Sequence, residues 1–182
     1  MDLSEYSQGR ESMRLYLVRH GSSVNRAEFP GLDEDRPLTE KGRKDLTKLF
    51  QTMRRHEDPP EEIWTSPLVR AVQTAEALVN FWARNVPVRV SRALLADVSP
   101  QTVLDEILRA NPKTPLALVG HEPQLGLLLA KLTEGQEGLS LPKGSVCRVR
   151  FRTDETPQGR FVCCHVPNIE KVIVELDELC QR

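Results

Sequence analysis

The run Leu15-Tyr16-Leu17-Val18-Arg19-His20-Gly21 constrains this chain more than any other stretch, because an apolar segment stops abruptly at a cation, an imidazole and a glycine. Leu15 to Val18 is apolar on both faces, the pattern of a strand covered on both sides in an α/β sheet rather than of an alternating surface strand. In such sheets ligands bind beyond the carboxyl ends of the strands. Gly21 lets the backbone turn or approach a ligand with no Cβ in the way. The pattern recurs in Leu116-Ala117-Leu118-Val119, which ends in Gly120-His121-Glu122-Pro123. If both runs are central parallel strands, His20 and His121 emerge at the same sheet edge.

Between and after these strands the chain alternates strand, loop and helix. Met1 to Ser12 is polar and without either hydrophobic period, which reads as a flexible extension before a single domain over residues 13–182. Ser22 to Leu38, with Pro30, Gly31, Pro37 and the acidic Asp33, Glu34 and Asp35, predicts a long loop beside the first strand end. Thr39 caps a helix whose Leu46, Leu49, Phe50 and Met53 share one face, and His56 is a solvated residue at its end. Ile63 to Ala75 reads as a short strand running into a helix, with Ser66 as N-cap, Pro67 at N1 and a buried stripe of Leu68, Val72, Ala75, Val79 and Trp82.

Val86 to Val90 predicts a third strand, and Ser99-Pro100 opens a helix that turns Val103, Leu104, Ile107 and Leu108 inward. A helix with Leu125, Leu128, Leu129 and Leu132 on one face follows His121. Ser145 to Phe151 and Arg160 to Val166 predict a peripheral hairpin, where His165 has a structural or surface role. Asn168 to Leu179 predicts a last helix.

Composition excludes several classes. With 25 basic against 26 acidic residues and a net charge of −1, no global field draws nucleic acid or an anionic membrane, so phosphate chemistry needs locally placed cations. There is no run of eighteen apolar residues and no signal-peptide pattern, which predicts a soluble, cytoplasmic protein. Cys147, Cys163, Cys164 and Cys180 contain no Cys-x-x-Cys and read as reduced thiols rather than zinc ligands or disulfides.

Arg70 falls in the first turn of its helix, where exposed N–H groups already carry positive charge, so it is unfavourable there unless an anion is near. Together with Arg19 it makes a clamp whose two planar forks suit a dianionic phosphoryl group. His20 sits tightly after the buried strand, where a backbone carbonyl can fix its tautomer and aim the other nitrogen at phosphorus, and His121 stabilises the transferring oxygens. The two arginines repel a divalent cation, and the histidines match no zinc-hydrolase spacing, so neither metal nor cofactor is expected.

In Leu-Val-Arg19-His20-Gly21, Thr65-Ser66-Pro67-Leu-Val-Arg70-Ala71-Val-Gln73-Thr74-Ala75 and Val119-Gly120-His121-Glu122-Pro123 the chain resembles the histidine phosphatase superfamily, with its phosphoglycerate mutase-like fold. Chain length and Arg36-Pro37-Leu38-Thr39-Glu40-Lys41-Gly42 resemble the small SixA-type branch of phosphohistidine phosphatases. The resemblance implies a three-layer α/β/α sandwich with a mostly parallel central sheet. It also implies a ping-pong reaction in which His20 takes the phosphoryl group, Arg19, Arg70 and His121 bind it, and water hydrolyses the phosphohistidine. Arg36 matches a basic position bordering the pocket, or forms a salt bridge with Asp35 or Glu40. Asn25 stands one residue closer to Arg-His-Gly than the phosphate-binding Asn of the mutases.

Two residues compete for the general acid: Asp97, near where mutases offer a Glu, and Glu122, where acid phosphatases have Asp. The leading expectation is removal of phosphate from phosphohistidine on a phosphotransfer protein, because an imidazole leaves without strong acid assistance. The alternatives are a phosphatase of small phosphomonoesters and a non-catalytic phosphate-binding regulatory module.

Overall fold

A computed structural model of the chain describes residues 12–112, 114–135, 138–152 and 158–180. Apart from Ser12, the expected N-terminal extension lies outside them, as does Pro157 of the hairpin loop. The elements follow in the order β1 (Ser12–Arg19), α1 (Glu40–His56), β2 (Glu62–Thr65), α2 (Val69–Phe81), β3 (Val88–Val90), α3 (Pro100–Ala110), β4 (Leu116–Gly120), α4 (Gln124–Leu132), β5 (Val146–Arg152) and β6 (Gln158–His165). One six-stranded sheet has the order β3-β2-β4-β1-β5-β6. β1 to β4 run parallel, and β5 and β6 close one side as an antiparallel hairpin.

The two apolar strands stand side by side in the middle, with Leu15 opposite Leu116 and Arg19 opposite Gly120. Alternation splits their side chains between two cores. Leu15, Leu17, Leu116 and Leu118 pack with α3 and α4, whereas Tyr16, Val18, Ala117 and Val119 pack with α1 and α2. Such double burial makes a strand apolar on both faces and produces the three-layer α/β/α architecture. Thr39 and Ser99 cap α1 and α3 through their hydroxyls, as their sequence positions predict.

Two elements depart from the sequence reading. α2 begins at Val69, with Leu68 rather than Ser66 at the cap, and buries Arg70, Ala71, Thr74, Ala75 and Leu78. The buried face is therefore turned by one residue from the Leu68, Val72 and Val79 stripe; those three are only half-buried, although Trp82 is buried as expected. Small residues on the inner face bring α2 close to the sheet and turn Arg70 inward. The expected helix over 168–179 is absent except for a short 3-10 turn at Leu176–Leu179. Val172, Ile173 and Val174 are β-branched, and Ile173 exchanges backbone hydrogen bonds with Cys164, at 2.8 and 3.0 Å, extending the edge of β6 instead.

His165 has a structural partner at that edge. Its Nε2 lies 3.2 Å from Glu57, whose carboxylate also accepts from Arg148. Glu57, Cys163 and His165 converge within 4.8 Å, but the Arg148 guanidinium already balances the carboxylate.

Candidate active site

The parallel pairing of β1 with β4 decides the geometry. His20 donates its backbone N–H to Gly120 O at 3.1 Å, so His20 and His121 leave the sheet together with ring centroids 5.0 Å apart. Beside them, Gly21 donates its N–H to Thr74 Oγ1 on α2 (3.2 Å), and that hydroxyl donates to Arg70 O at 2.7 Å. Thr74 thus ties the turn after His20 to the helix that carries Arg70. A Cβ on Gly21 would lie 2.8 Å from Leu46 Cδ1, so a larger residue here would push the Leu46 side chain of α1 aside.

The two imidazoles are held differently. His20 Nδ1 is 2.7 Å from Gly21 O, and because a carbonyl only accepts, Nδ1 carries the proton and Nε2 presents a lone pair. His121 Nε2 is 2.8 Å from Ser66 Oγ, and its Nδ1 is buried without a partner. Ser66 Oγ accepts from Leu68 N–H at 3.4 Å, leaving its own proton for His121 Nε2 and a proton on Nδ1 to face an anion. Burial first, then the arginines nearby, push the His20 pKa down to about 4, against the opposing bond to Gly21 O. Burial and the neighbouring His20 push His121 down to about 3. Both rings are neutral at pH 7.

Arg19 donates from Nη1 to Leu141 O at 2.6 Å, and Arg70 donates from Nη1 to Asp33 O at 2.8 Å. The Nε of each is buried and without a hydrogen-bond partner. Burial lowers both arginine pKa values from an ordinary value so high that the side chains stay charged. Three unmet donors, Arg19 Nε, Arg70 Nε and His121 Nδ1, accompany the His20 lone pair in one group of charged and polar side chains. Unmet buried donors are costly, and an oxyanion is the ligand that would satisfy them together.

Glu122 is half-buried and holds the wall of this group. Its Oε1 accepts Leu141 N–H at 3.1 Å, while Leu141 O accepts from Arg19, so the carboxylate fixes the residue that aims the guanidinium. Burial raises the Glu122 pKa, opposed by backbone N–H groups of Leu141 and Gly126 and by Arg19. Gly126 is required where it stands, since a Cβ there would lie 2.1 Å from Leu139 O. Asp97 is exposed on the turn before α3. That turn is fastened from below by Gln124, which donates to Ala93 O and, at 3.0 Å, to Val98 O.

Arg36 pairs with neither Asp35 nor Glu40. Its Nε donates to Asp33 Oδ1 at 2.9 Å and its Nη1 to Ser23 Oγ and Val24 O at 2.7 and 2.8 Å, bracing the loop beside the site. Asn25 is exposed and caps the 3-10 turn Arg26–Glu28 by accepting Ala27 N–H at 3.2 Å. Sequence reasoning missed Asp33, the orienting role of Ser66, Thr74 and Gln124. Ser66 was legible only as a helix cap, and the acidic cluster of residues 33–35 did not say which member reaches Arg70.

Fold and site together define an α/β protein that gathers two histidines and two arginines with unpartnered buried nitrogens at the ends of two parallel strands. The description "Histidine phosphatase superfamily (branch 1)" matches residues 15–95, and the chain belongs to the histidine phosphatase superfamily. An uncharacterised protein of Picosynechococcus sp., SYNPCC7002_A2622, is 37% identical over 142 residues, covering 76% of this chain and 85% of its own. The protein histidine phosphatase SixA, solved with tungstate, superposes with a TM-score of 0.74 at 20% identity over 89% of this chain and 97% of its own. A mycobacterial glucosyl-3-phosphoglycerate phosphatase does so with a TM-score of 0.63 at 19% identity over 83% and 97%. These two share the fold and differ in the substrates their names give.

Proposed function

We propose that this protein is a phosphatase that works through a phosphohistidine on His20 and acts on phosphohistidine carried by another protein. The observation that carries the reading is that Arg19 Nε, Arg70 Nε and His121 Nδ1 are buried and unpartnered on the side chains neighbouring His20, whose tautomer Gly21 O fixes. His20 Nε2 attacks phosphorus in line, and the bond from phosphorus to the leaving group breaks. Water then attacks the phosphohistidine, phosphate departs, and His20 regains its lone pair. Arg19, Arg70 and His121 hold the equatorial oxygens as charge is redistributed, the kind of fixed donor set that lowers such barriers most. No metal enters this scheme.

The leaving group is argued from the carboxylates. Both faces of the Glu122 carboxylate's work are structural, through Leu141 and Gly126, and Asp97 stands on an exposed turn. A site without a committed acid suits an imidazole, which departs more readily than an alkoxide. Among the described residues, the strand ends on this side carry the loop 20–39 and the shorter connections 66–68, 91–99 and 121–123 and no inserted domain, which supports access by a side chain on a protein.

The test is phosphate release by wild type and His20→Ala from a phosphohistidyl phosphotransfer protein and from a panel of sugar and alkyl phosphates, with acid-quench trapping of the phosphoenzyme. His20-dependent release mainly from phosphohistidine is expected. Faster turnover of a small ester, with Asp97→Asn or Glu122→Gln slowing it by about 10²-fold or more, would move the assignment to phosphomonoesters with that residue as acid.

A further inference from the structure

One arm of the proposed phosphate clamp, Arg70, is engaged by a carboxylate of the chain itself. Arg70 Nη2 lies 3.1 Å from the Asp33 carboxylate and Arg70 Nη1 donates to Asp33 O at 2.8 Å, so the 3-10 turn Asp33–Asp35 caps the end of the guanidinium. The Arg70 side chain is 7% exposed and that of Asp33 45% exposed, which places the carboxylate at the mouth of the site with the arginine behind it. We propose that Asp33 is an internal competitor for Arg70, a carboxylate that an incoming phosphoryl group displaces and that thereby sets how tightly the site holds phosphoryl groups and retains the phosphate product. This inference rests on the assignment of Arg70 to phosphoryl binding.

Three observations support displacement rather than permanent pairing. A carboxylate and a phosphoryl oxygen make the same kind of contact with a guanidinium, and a phosphoryl group that engages Arg70 through the fork of the free Nε and the adjacent Nη2 must displace the carboxylate from Nη2. Asp33 also has somewhere to go: its Oδ1 accepts from Arg36 Nε at 2.9 Å, and Arg26 Nε is 3.9 Å away. Arg36 itself is anchored to Ser23 and Val24, so it stays behind to hold the carboxylate when Arg70 is surrendered. Burial pushes the Asp33 pKa up, but the bonds and charges of Arg36 and Arg70 outweigh it and hold the carboxyl below its ordinary value. Asp33 is therefore anionic whenever a dianion arrives, and the dianion meets both its repulsion and its prior claim on Arg70.

The consequence is functional. A phosphatase is inhibited by the phosphate it makes, and a carboxylate that returns to the arginine after turnover helps release that product. A ligand whose binding form must first be freed from an internal contact loses apparent affinity by the fraction that is free. A charged hydrogen bond at a half-exposed carboxylate, discounted for solvent, corresponds to about a fivefold reduction.

The test is calorimetric binding of tungstate to wild type and Asp33→Asn, with steady-state phosphatase assays of both. Asn keeps the backbone contact and side-chain size but removes the charge. Expected are about fivefold tighter tungstate binding, a matching fall in the inhibition constant for phosphate and no gain in kcat. Unchanged or weaker tungstate binding by Asp33→Asn, in a protein whose wild type turns over substrate, would overturn this inference alone and make Asp33 a residue that positions Arg70. Tungstate bound by neither protein, with no turnover, would overturn both the inference and the phosphatase reading.

Discussion

β1 and β4 end almost identically in sequence, each an apolar strand followed by a histidine beside a glycine, yet the structure gives their histidines opposite polarity. At the end of β1 the carbonyl of Gly21 takes the Nδ1 proton of His20 and leaves a lone pair on Nε2. At the end of β4 the hydroxyl of Ser66 meets Nε2 of His121 and leaves Nδ1 without a partner. One ring is prepared to give electrons, the other to give a hydrogen bond. The difference lies in a single contact on each side, made by a backbone carbonyl in one case and a side chain from the end of β2 in the other. Two nearly equivalent strand ends thus carry differently held rings 5.0 Å apart, which in the proposed reaction are the nucleophile and its electrophilic partner.

The sharpest way to break this comparison is to remove each ring in turn. His20→Ala should abolish the covalent route, with a loss on the order of 10⁴-fold or more and no phosphoenzyme after acid quench. His121→Ala should cost about 10²- to 10³-fold, the scale of one lost donor to a developing oxyanion, while a phosphoenzyme still forms slowly. Stopped-flow phosphate release and radiolabel trapping separate the two. Equal losses with no trapped intermediate in either variant would mean that the rings act as one unit rather than in distinct roles.

A smaller effect distinguishes the rings by pH. Both histidines are neutral in the fold, with pKa values pushed from 6.5 down to about 4 for His20 and about 3 for His121. The unfolded chain takes up their protons near pH 6.5 and the folded chain only at much lower pH, so unfolding is favoured as pH falls. Their contribution is fully present above about pH 6.5 and is lost progressively down to about pH 4 for His20 and pH 3 for His121. Together this amounts to roughly 8 kcal/mol at the low-pH limit. Denaturant titrations of wild type and His20→Asn from pH 7 to pH 4 should show a shallower decline in the variant. Saturating tungstate should also flatten the decline, because a bound dianion favours the protonated rings.

How much of this was legible in the sequence depends on the range of the interaction. The α/β layering, the parallel centre and the convergence of Arg19, His20, Arg70 and His121 were readable, because unbroken apolar strands must be buried on both faces and their ends must then share an edge. The position of α2 was not. Ser66-Pro67 is a good local start signal, but Ser66 Oγ makes its shorter bond to His121, 55 residues away, and only a 3.4 Å bond to Leu68 N–H, and the helix begins at Val69 instead. The C-terminal segment fails for the same reason. Its apolar residues are consistent with a helix taken alone, and the backbone pairing of Ile173 with Cys164 decides otherwise. Asp33 was visible as one acid among three, and only the folded loop shows which of them meets Arg70.

The contact that makes His121 different from His20 can be tested with the least disturbance through Ser66. Ser66→Ala removes the hydroxyl but leaves the backbone N–H that bonds Val119 O at 2.9 Å, so the end of β2 should stay in place. His121 Nε2 then loses its buried partner, at a cost of about 1–3 kcal/mol shared between stability and ring orientation. The expected kinetic outcome is roughly a tenfold fall in kcat with a smaller change in KM, since His121 matters most when charge builds on the phosphoryl oxygens. NMR titration of the His121 ring should show the tautomer preference of wild type lost in Ser66→Ala and restored in Ser66→Thr. If His121 keeps its tautomer and kcat is unchanged in the alanine variant, Ser66 is not what orients the ring. The asymmetry between the two strand ends would then have to come from the buried surroundings of β4 itself.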